Sequence, residues 1–269
     1  MNDRSVEPAA TRAESVLLRR DEDAVAVLTL NRPRQYNALS SALLEALHRE
    51  LDALAADDAV RVVMITGAGS AFCSGHDLKE MRALGSPEDV EALFVSCSAV
   101  MQKLTQLPQP TIAVVNGLAT AAGCQLVAQC DLAVAADRAR FAASGINLGL
   151  FCSTPAVPIS RNISRKRAAE MLFTGDFIDA QTALDWGLIN RIAPADRLME
   201  AAQGLAANLR GKPREALALG KALFYRQLEA NLSAAYEDAS HTIAGNMDEE
   251  IAREGVDAFF EKRSPRWKS

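Results

Sequence analysis

Two short stretches of small residues are placed to offer main-chain N–H groups to an anion. The first, Ser74-Gly75-His76, follows the apolar run Val62–Ile65 and the glycine reversal Gly67-Ala68-Gly69-Ser70. It precedes Asp77, a helix N-cap residue with Glu80 three positions on, a spacing that predicts a capping box in which the two side chains satisfy orphan amides reciprocally. The second stretch, Ala119-Thr120-Ala121, leads into a helix that starts at Ala122. The N–H of Ala122 then has no intrahelical partner and lies at the positive end of the helix dipole. Amides in such settings hold a negative oxygen, and small neighbours let a ligand come close.

Other residues suit other chemistry. His76 has an imidazole able to titrate near neutral pH, although a surface-facing turn position is the plainer reading for its side chain. The loop Cys152-Ser153-Thr154 offers a nucleophile, with only His48, His76 and His241 in the chain to serve as a base. Asn147 is a donor or a turn residue, Asp77 a cap, and Asp131 a polar anchor at a helix end. Arg34, Lys79, Lys262 and Arg263 are the cations best suited to phosphate groups, against solvated surface charge as the plainer alternative. There is no Walker loop, Gly67-x-Gly69 is followed by Phe72 where a third glycine would stand, and no metal-ligand cluster is visible.

These residues need a scaffold, and 269 residues with 49% hydrophobic and 23% charged content supply one large domain's worth of core. A formal net charge of -5 and the lack of a basic stripe exclude a nucleic-acid footprint. No apolar run is long enough to span a bilayer. Five cysteines without a CxxC pair read as reduced, small apolar side chains. Residues 1–13 lack an apolar signal core and read as a disordered lead-in.

The first structured element is expected to be a hairpin, 15–20 with 24–30, turning at Asp21-Glu22-Asp23 and stopped by Pro33. Ser40 caps a helix with Leu43, Leu44, Leu47, Leu51 and Leu54 on one face. A long helix from about Pro87 to Leu107 carries Leu93, Val95, Val100, Met101 and Leu104 as apolar positions. Strands at 111–115, 132–136 and 140–142 surround a helix at 122–130. From Ser164 onward the pattern is helical: 167–173, 180–186, 197–209, 214–240 and 249–262, with glycines, Gly245 among them, as boundaries. Leu217, Leu219, Leu223, Leu228 and Leu232 fit more than one buried face.

In order along almost the whole chain, the sequence resembles the crotonase superfamily, the enoyl-CoA hydratase/isomerase group. Its pattern Ala-Phe-x-x-Gly-x-Asp-[Leu/Ile]-x-x-Met is matched by Ala71, Phe72, Gly75, Asp77, Leu78 and Met81. Val114 to Gln125 followed by Cys130-Asp131 matches a second block, Asn31-Arg32-Pro33 with Asn37-Ala38-Leu39 a first, and Phe259-x-x-Lys262-Arg263 a last. Either small-residue motif alone reads more simply as helix-to-strand packing; the two in order favour the family. The resemblance implies an α/β fold: a spiral of β-β-α units over 14–195 and a C-terminal helical region, 196–269, for trimerisation. A homotrimer or a dimer of trimers is implied.

The resemblance also implies that the N–H groups of His76 and Ala122 form an oxyanion hole for the thioester carbonyl of an acyl-CoA. Cys73, Gly75, Ala121 and Cys152 would line the substrate. CoA enters as part of that substrate, with no separate cofactor, in a cytoplasmic protein of fatty acid metabolism. Two departures weigh against hydration. The family's two glutamates fall at Gln125 and Gly145, and neither residue is a base. General acid–base help is worth about a hundredfold to ten-thousandfold, so weak turnover or none is expected. The segments 72–80, 121–126 and 149–155 are most similar to a divergent, mitochondrial branch that lacks both glutamates, of which this chain is expected to be a bacterial relative. Three functions stay open: a hydratase/isomerase-like enzyme, a non-catalytic acyl-CoA-binding or regulatory protein, and a thioester hydrolase working through the 152–154 loop.

Overall fold

The fold begins with an antiparallel hairpin of β1 (Leu17–Glu22) and β2 (Val25–Leu30). Its turn is Asp23-Ala24, both with left-handed φ near +51° and +59°, the two-residue geometry that matches strand twist. That is tighter than the expected Asp21-Glu22-Asp23 turn. In helix α1 (Ser41–Ala55), Ser40 Oγ accepts from the N–H of Leu43, and all five predicted leucines are buried. Each such leucine contributes about 1.5–3 kcal/mol by leaving water.

Three β-β-α turns follow. The first is β3 (Val62–Gly67), β4 (Ala71–Cys73), α2 (Leu78–Ala83) and α3 (Pro87–Gln106). The second is β5 (Thr111–Val115), β6 (Leu118–Thr120) and α4 (Ala122–Gln129). The third is β7 (Leu132–Ala136), β8 (Arg140–Ala142) and α5 (Ser153–Asn162). Then come α6 (Arg165–Thr174), β9 (Ile178–Asp179), α7 (Ala180–Trp186), β10 (Arg191–Ala193), α8 (Leu198–Arg210), α9 (Arg214–Leu228), α10 (Leu232–Asp248) and α11 (Glu250–Phe260). This computed structural model describes residues 15–267; the expected lead-in, 1–13, lies outside them.

Each β-β-α turn adds one strand to each of two sheets. The larger runs β1-β2-β3-β5-β7-β10 and the smaller β4-β6-β8-β9. Within them β2-β3-β5-β7-β10 and β4-β6-β8 are parallel. Val62 and Met64 face the layer closed by Leu198, Ala202, Leu205 and Ala206 of α8, while Val63 and Ile65 face the main core with the leucines of α1. A parallel strand covered on both faces reads as an unbroken apolar run, which is why 62–65 looked like a strand. The three-residue strands β4 and β6 carry no legible period and were not foreseen.

Several helix expectations are corrected. Val95 points to solvent, 60% exposed. α5 starts at Ser153, so helical structure begins before Ser164 and the Cys152-Ser153-Thr154 loop is a helix start. The stretch 214–240 is two helices, because Asn231 Oδ1 accepts from Ala234 N–H and caps a new one. Gly245 lies inside α10 and ends nothing. None of Leu217, Leu219, Leu223, Leu228 and Leu232 is buried in the single chain.

What docks α9 is polar. Lys221 Nζ donates to Leu104 O, Gln109 O and Asp131 Oδ2 at 2.7, 2.9 and 2.6 Å. Asp131 also accepts from Thr111 and Tyr225, so it is the anchor the sequence suggested. Burial pulls the Lys221 pKa down, and Asp131 opposes this. No helix among the described residues is long and apolar enough to cross a membrane.

Candidate functional site

The loop before α2 and the start of α4 meet at Gly75. A Cβ there would stand 2.9 Å from Ala121 Cβ and 3.2 Å from Ala122 N, so the absence of a side chain is what permits the contact. Gly123 is closer still: its Cβ would lie 2.0 Å from Cys73 O. Thr120 Oγ1 donates to Ser74 O at 3.0 Å, and Ala121 N donates to Ala142 O at 2.9 Å. These bonds fasten the two small-residue stretches together through β6 and β8.

The two amides remain unspent. His76 forms a parallel bridge with Leu39 through its neighbours: Leu39 N donates to Gly75 O and Asp77 N to Leu39 O, at 2.8 and 3.0 Å. In that pattern the N–H of His76 itself faces the other way. Among the described residues neither His76 N nor Ala122 N donates to any protein acceptor. Ala122 is the first residue of α4, and Ala121 before it has φ 49° and ψ −120°. A residue with a Cβ in that region is strained by about 1–3 kcal/mol, a strain typical of ligand-holding turns.

Asp77 caps α2, accepting from Lys79 N and Glu80 N. The reciprocal half of the expected box is not formed. Asp77 N donates to Leu39 O, and Glu80 Oε2 instead accepts from Ser41 N at 3.0 Å, at the start of α1. Arg32 pairs with Asp77 at 2.8 Å and holds its carboxyl below the usual carboxylate range.

The His76 ring corrects both readings of that side chain. It packs edge-on against Phe94 with centroids 4.7 Å apart, and its Nε2 is buried without a hydrogen-bond partner. Burial pushes its pKa down to about 4, only partly opposed by Glu80, so the ring is neutral at pH 7 and half-buried rather than open to solvent. It is therefore not a titrating group near neutrality.

Positions 125 and 145 differ in kind. Gln125 on α4 is 3% exposed, and its Oε1 is buried with no partner. Gly145 has no room for a side chain, since a Cβ would meet Leu150 O at 2.7 Å and Cys152 Sγ at 2.9 Å. Its N–H donates to Cys152 Sγ at 3.3 Å. Cys152 is buried, and burial raises its pKa, the opposite of what an activated thiol needs. Ser153 Oγ donates to Phe151 O within the same turn, and Asn147 Nδ2 donates to Gly175 O at 3.3 Å. Cys73 is buried beside Gly123, its thiol pushed up to about 12 by desolvation.

Arg34 and Lys79 are exposed and free of ion pairs among the described residues. They flank the same junction, because Ser74 N donates to Tyr36 O at 3.0 Å. Lys262 and Arg263 follow α11, which packs chiefly on α10. Arg263 is committed to Glu254 at 2.6 Å and to Glu261, and it holds the Glu254 carboxyl down at about 2. A separate cavity of about 530 Å³ between β2 and α8, walled by Arg20, Asp23 and Arg210, includes none of these residues.

Two residues that fasten the site escaped sequence reasoning. Asn37 Nδ2 donates to Ala68 O and Ala71 O at 2.9 and 2.8 Å, and Asn116 Nδ2 donates to Gly69 O at 2.9 Å, pinning the β3–β4 corner. Their place inside the matched blocks was the available signal.

Two packed sheets wound from β-β-α turns, with paired small-residue amides at one junction, define a spiral α/β class of fold. Residues 20–269 match the enoyl-CoA hydratase/isomerase family model, and the chain belongs to that family. It is 45% identical over 264 residues to rat enoyl-CoA hydratase domain-containing protein 3, mitochondrial, covering 98% of this chain and 88% of the relative. The crystal structure of human enoyl-CoA hydratase domain-containing protein 3 is similar at TM-score 0.90 and 43% identity, over 94% of this chain and all (100%) of that one. An enoyl-CoA hydratase from Mycobacterium smegmatis is similar at TM-score 0.93 and 54% identity, over 95% of this chain and 100% of that one.

Proposed function

We propose that the protein binds acyl-CoA thioesters and holds the thioester oxygen between the N–H groups of His76 and Ala122. The observation that carries this reading is that both amides are unspent at a junction built around Gly75. One oxyanion donor contributes about 3–4 kcal/mol to a transition state, so the pair supports enolate-forming chemistry of the hydratase/isomerase kind. Hydration itself is weak. A neutral amide at 125 and a closed backbone at 145 leave no carboxylate to activate water.

Cys73, Gly75, Ala121 and Cys152 line the acyl end, and Arg34 and Lys79 meet the CoA phosphates. Lys262 keeps a free ammonium for the same role. Arg263 is the weaker candidate, since its guanidinium is already bonded to carboxylates. CoA arrives as part of the substrate and no separate cofactor takes part. The working unit is a homotrimer or dimer of trimers in the cytoplasm. Supporting that assembly, Leu232, Tyr236, Phe259 and Phe260 are 69–79% exposed on α10 and α11 in the single chain.

A second reading, a non-catalytic acyl-CoA binder or regulator, is favoured specifically by the closed Gly145 position. The hydrolase reading has the buried, protonated Cys152 thiol against it. Isothermal titration with crotonyl-CoA, run beside assays of hydration and of free CoA release, tests all three. Binding with slow hydration is the expected result. Binding with no hydration at all selects the binder, CoA release selects the hydrolase, and no binding defeats the proposal.

A further inference from the structure

We infer that Thr120 is a positioning residue: its side-chain hydroxyl sets the gap between the N–H of His76 and the N–H of Ala122, and with it the preference of the site for a thioester carbonyl. The inference rests on the acyl-CoA reading of those two amides.

The paired residues of β4 and β6 end at Cys73 and Ala119. Beyond that pair the chains part, and His76 N and Ala122 N are left without protein acceptors among the described residues. Across the opening, a single hydrogen bond joins residues 74–76 to residues 120–122 among the described residues, from Thr120 Oγ1 to Ser74 O at 3.0 Å. Ser74 stands two residues before His76 and Thr120 two before Ala122, so the bond closes the base of the opening symmetrically.

Each side of the opening is otherwise tied away from the other. Ser74 N donates to Tyr36 O at 3.0 Å, and Ala121 N donates to Ala142 O of β8 at 2.9 Å. The width between them is therefore left to the Thr120 hydroxyl. That side chain is 6% exposed and β-branched, hence stiff at χ1, which suits it to fix a distance. Ala121, between the hydroxyl and the Ala122 amide, is held at φ 49° and ψ −120°, a conformation that persists only where the surroundings over-determine it. Without the bond the turn relaxes and the Ala122 N–H leaves the point it shares with His76 N–H. Hydrogen bonds weaken steeply with such changes of angle and length.

The test compares butyryl-CoA with S-butyl-CoA, the thioether of equal chain length that lacks the carbonyl, by isothermal titration of the full chain at pH 7. The wild-type chain is expected to prefer the thioester about tenfold, the worth of its bonds to two amides. In Thr120→Val, close in shape but without the hydroxyl, that ratio should fall about threefold to tenfold while thioether affinity stays within about twofold. Thr120→Ser keeps the hydroxyl and should restore the wild-type ratio. Three results overturn the inference: an unchanged ratio in Thr120→Val, equal weakening of both ligands there, which marks a merely structural role, or a Thr120→Ser variant that behaves like Thr120→Val. If Thr120→Val does not fold, Thr120→Ala removes the same hydroxyl and is read in the same way; if neither folds, the bond is a requirement for folding and the inference falls. A wild-type chain that binds neither ligand, or both equally, is a separate result, which removes the two-amide reading beneath it.

Discussion

At the Gly75–Ala122 junction the groups offered to a ligand are main-chain amides; at positions 125 and 145 they would have to be side chains. The first half is held by the fold itself, through the Leu39 bridge, the Thr120–Ser74 bond and the left-handed turn at Ala121. The second half depends on residue identity, and here a buried neutral amide and a sterically closed glycine stand in it. Backbone donors survive side-chain replacement as long as the strand and helix that present them stay packed. Side-chain acids and bases have no such protection, so a chain can keep a binding site and shed its proton chemistry.

The contrast breaks most visibly if the backbone half is disturbed. Gly123→Val places a Cβ 2.0 Å from Cys73 O and should destabilise the fold by more than about 4 kcal/mol, read as a large drop in urea midpoint with loss of acyl-CoA binding. A near-wild-type midpoint would show that this junction tolerates movement. Next comes pH. His76 is held at about 4 in the folded chain against about 6.5 unfolded, so between those values the unfolded chain binds the extra proton. Stability from this group is complete above about pH 6.5 and should fall by up to about 3 kcal/mol as pH drops to 4. His76→Phe should flatten that slope in chemical denaturation while keeping acyl-CoA affinity, because the proposed ligand contact is the backbone N–H.

The side-chain half gives smaller effects. Gly145→Glu should lose about 1–3 kcal/mol through overpacking against Leu150 O and Cys152 Sγ, with no gain in hydration. Gln125→Glu should raise hydration of crotonyl-CoA about tenfold, short of the full acid–base contribution because its partner carboxylate has no place. A full restoration would show that position 145 opens on ligand binding. The smallest change is Ala121→Gly, which removes the left-handed strain and should raise stability by about 0.5–1 kcal/mol with binding retained.

The legible parts of the molecule are those that rest on local physics. Ser40 with its leucine face, the long helix from Pro87 that stops at Leu107, the helix 180–186 and the Asp77 cap all depend on residues within one or two turns of one another. The two unbonded amides, of His76 and Ala122, were legible for the same reason, since each belongs to a short turn of small residues. The three-residue spacing of Asp77 and Glu80 misled at one point. Glu80 is drawn to the free amides of α1, thirty-nine residues away in sequence, rather than to its own helix start.

Sequence alone therefore determined the family, the first hairpin, the leucine face of α1 and the absence of a carboxylate at positions 125 and 145, because residue identity and short-range spacing encode them. Tertiary structure alone decided that the His76 ring packs neutral against Phe94 with its Nε2 buried, that Gly145 is closed, that Arg263 is spent on Glu254, and that Lys221 rather than a leucine face holds α9. Each of those depends on which distant groups share a low-dielectric space, and desolvation and steric contact are properties of that space and not of any stretch of chain.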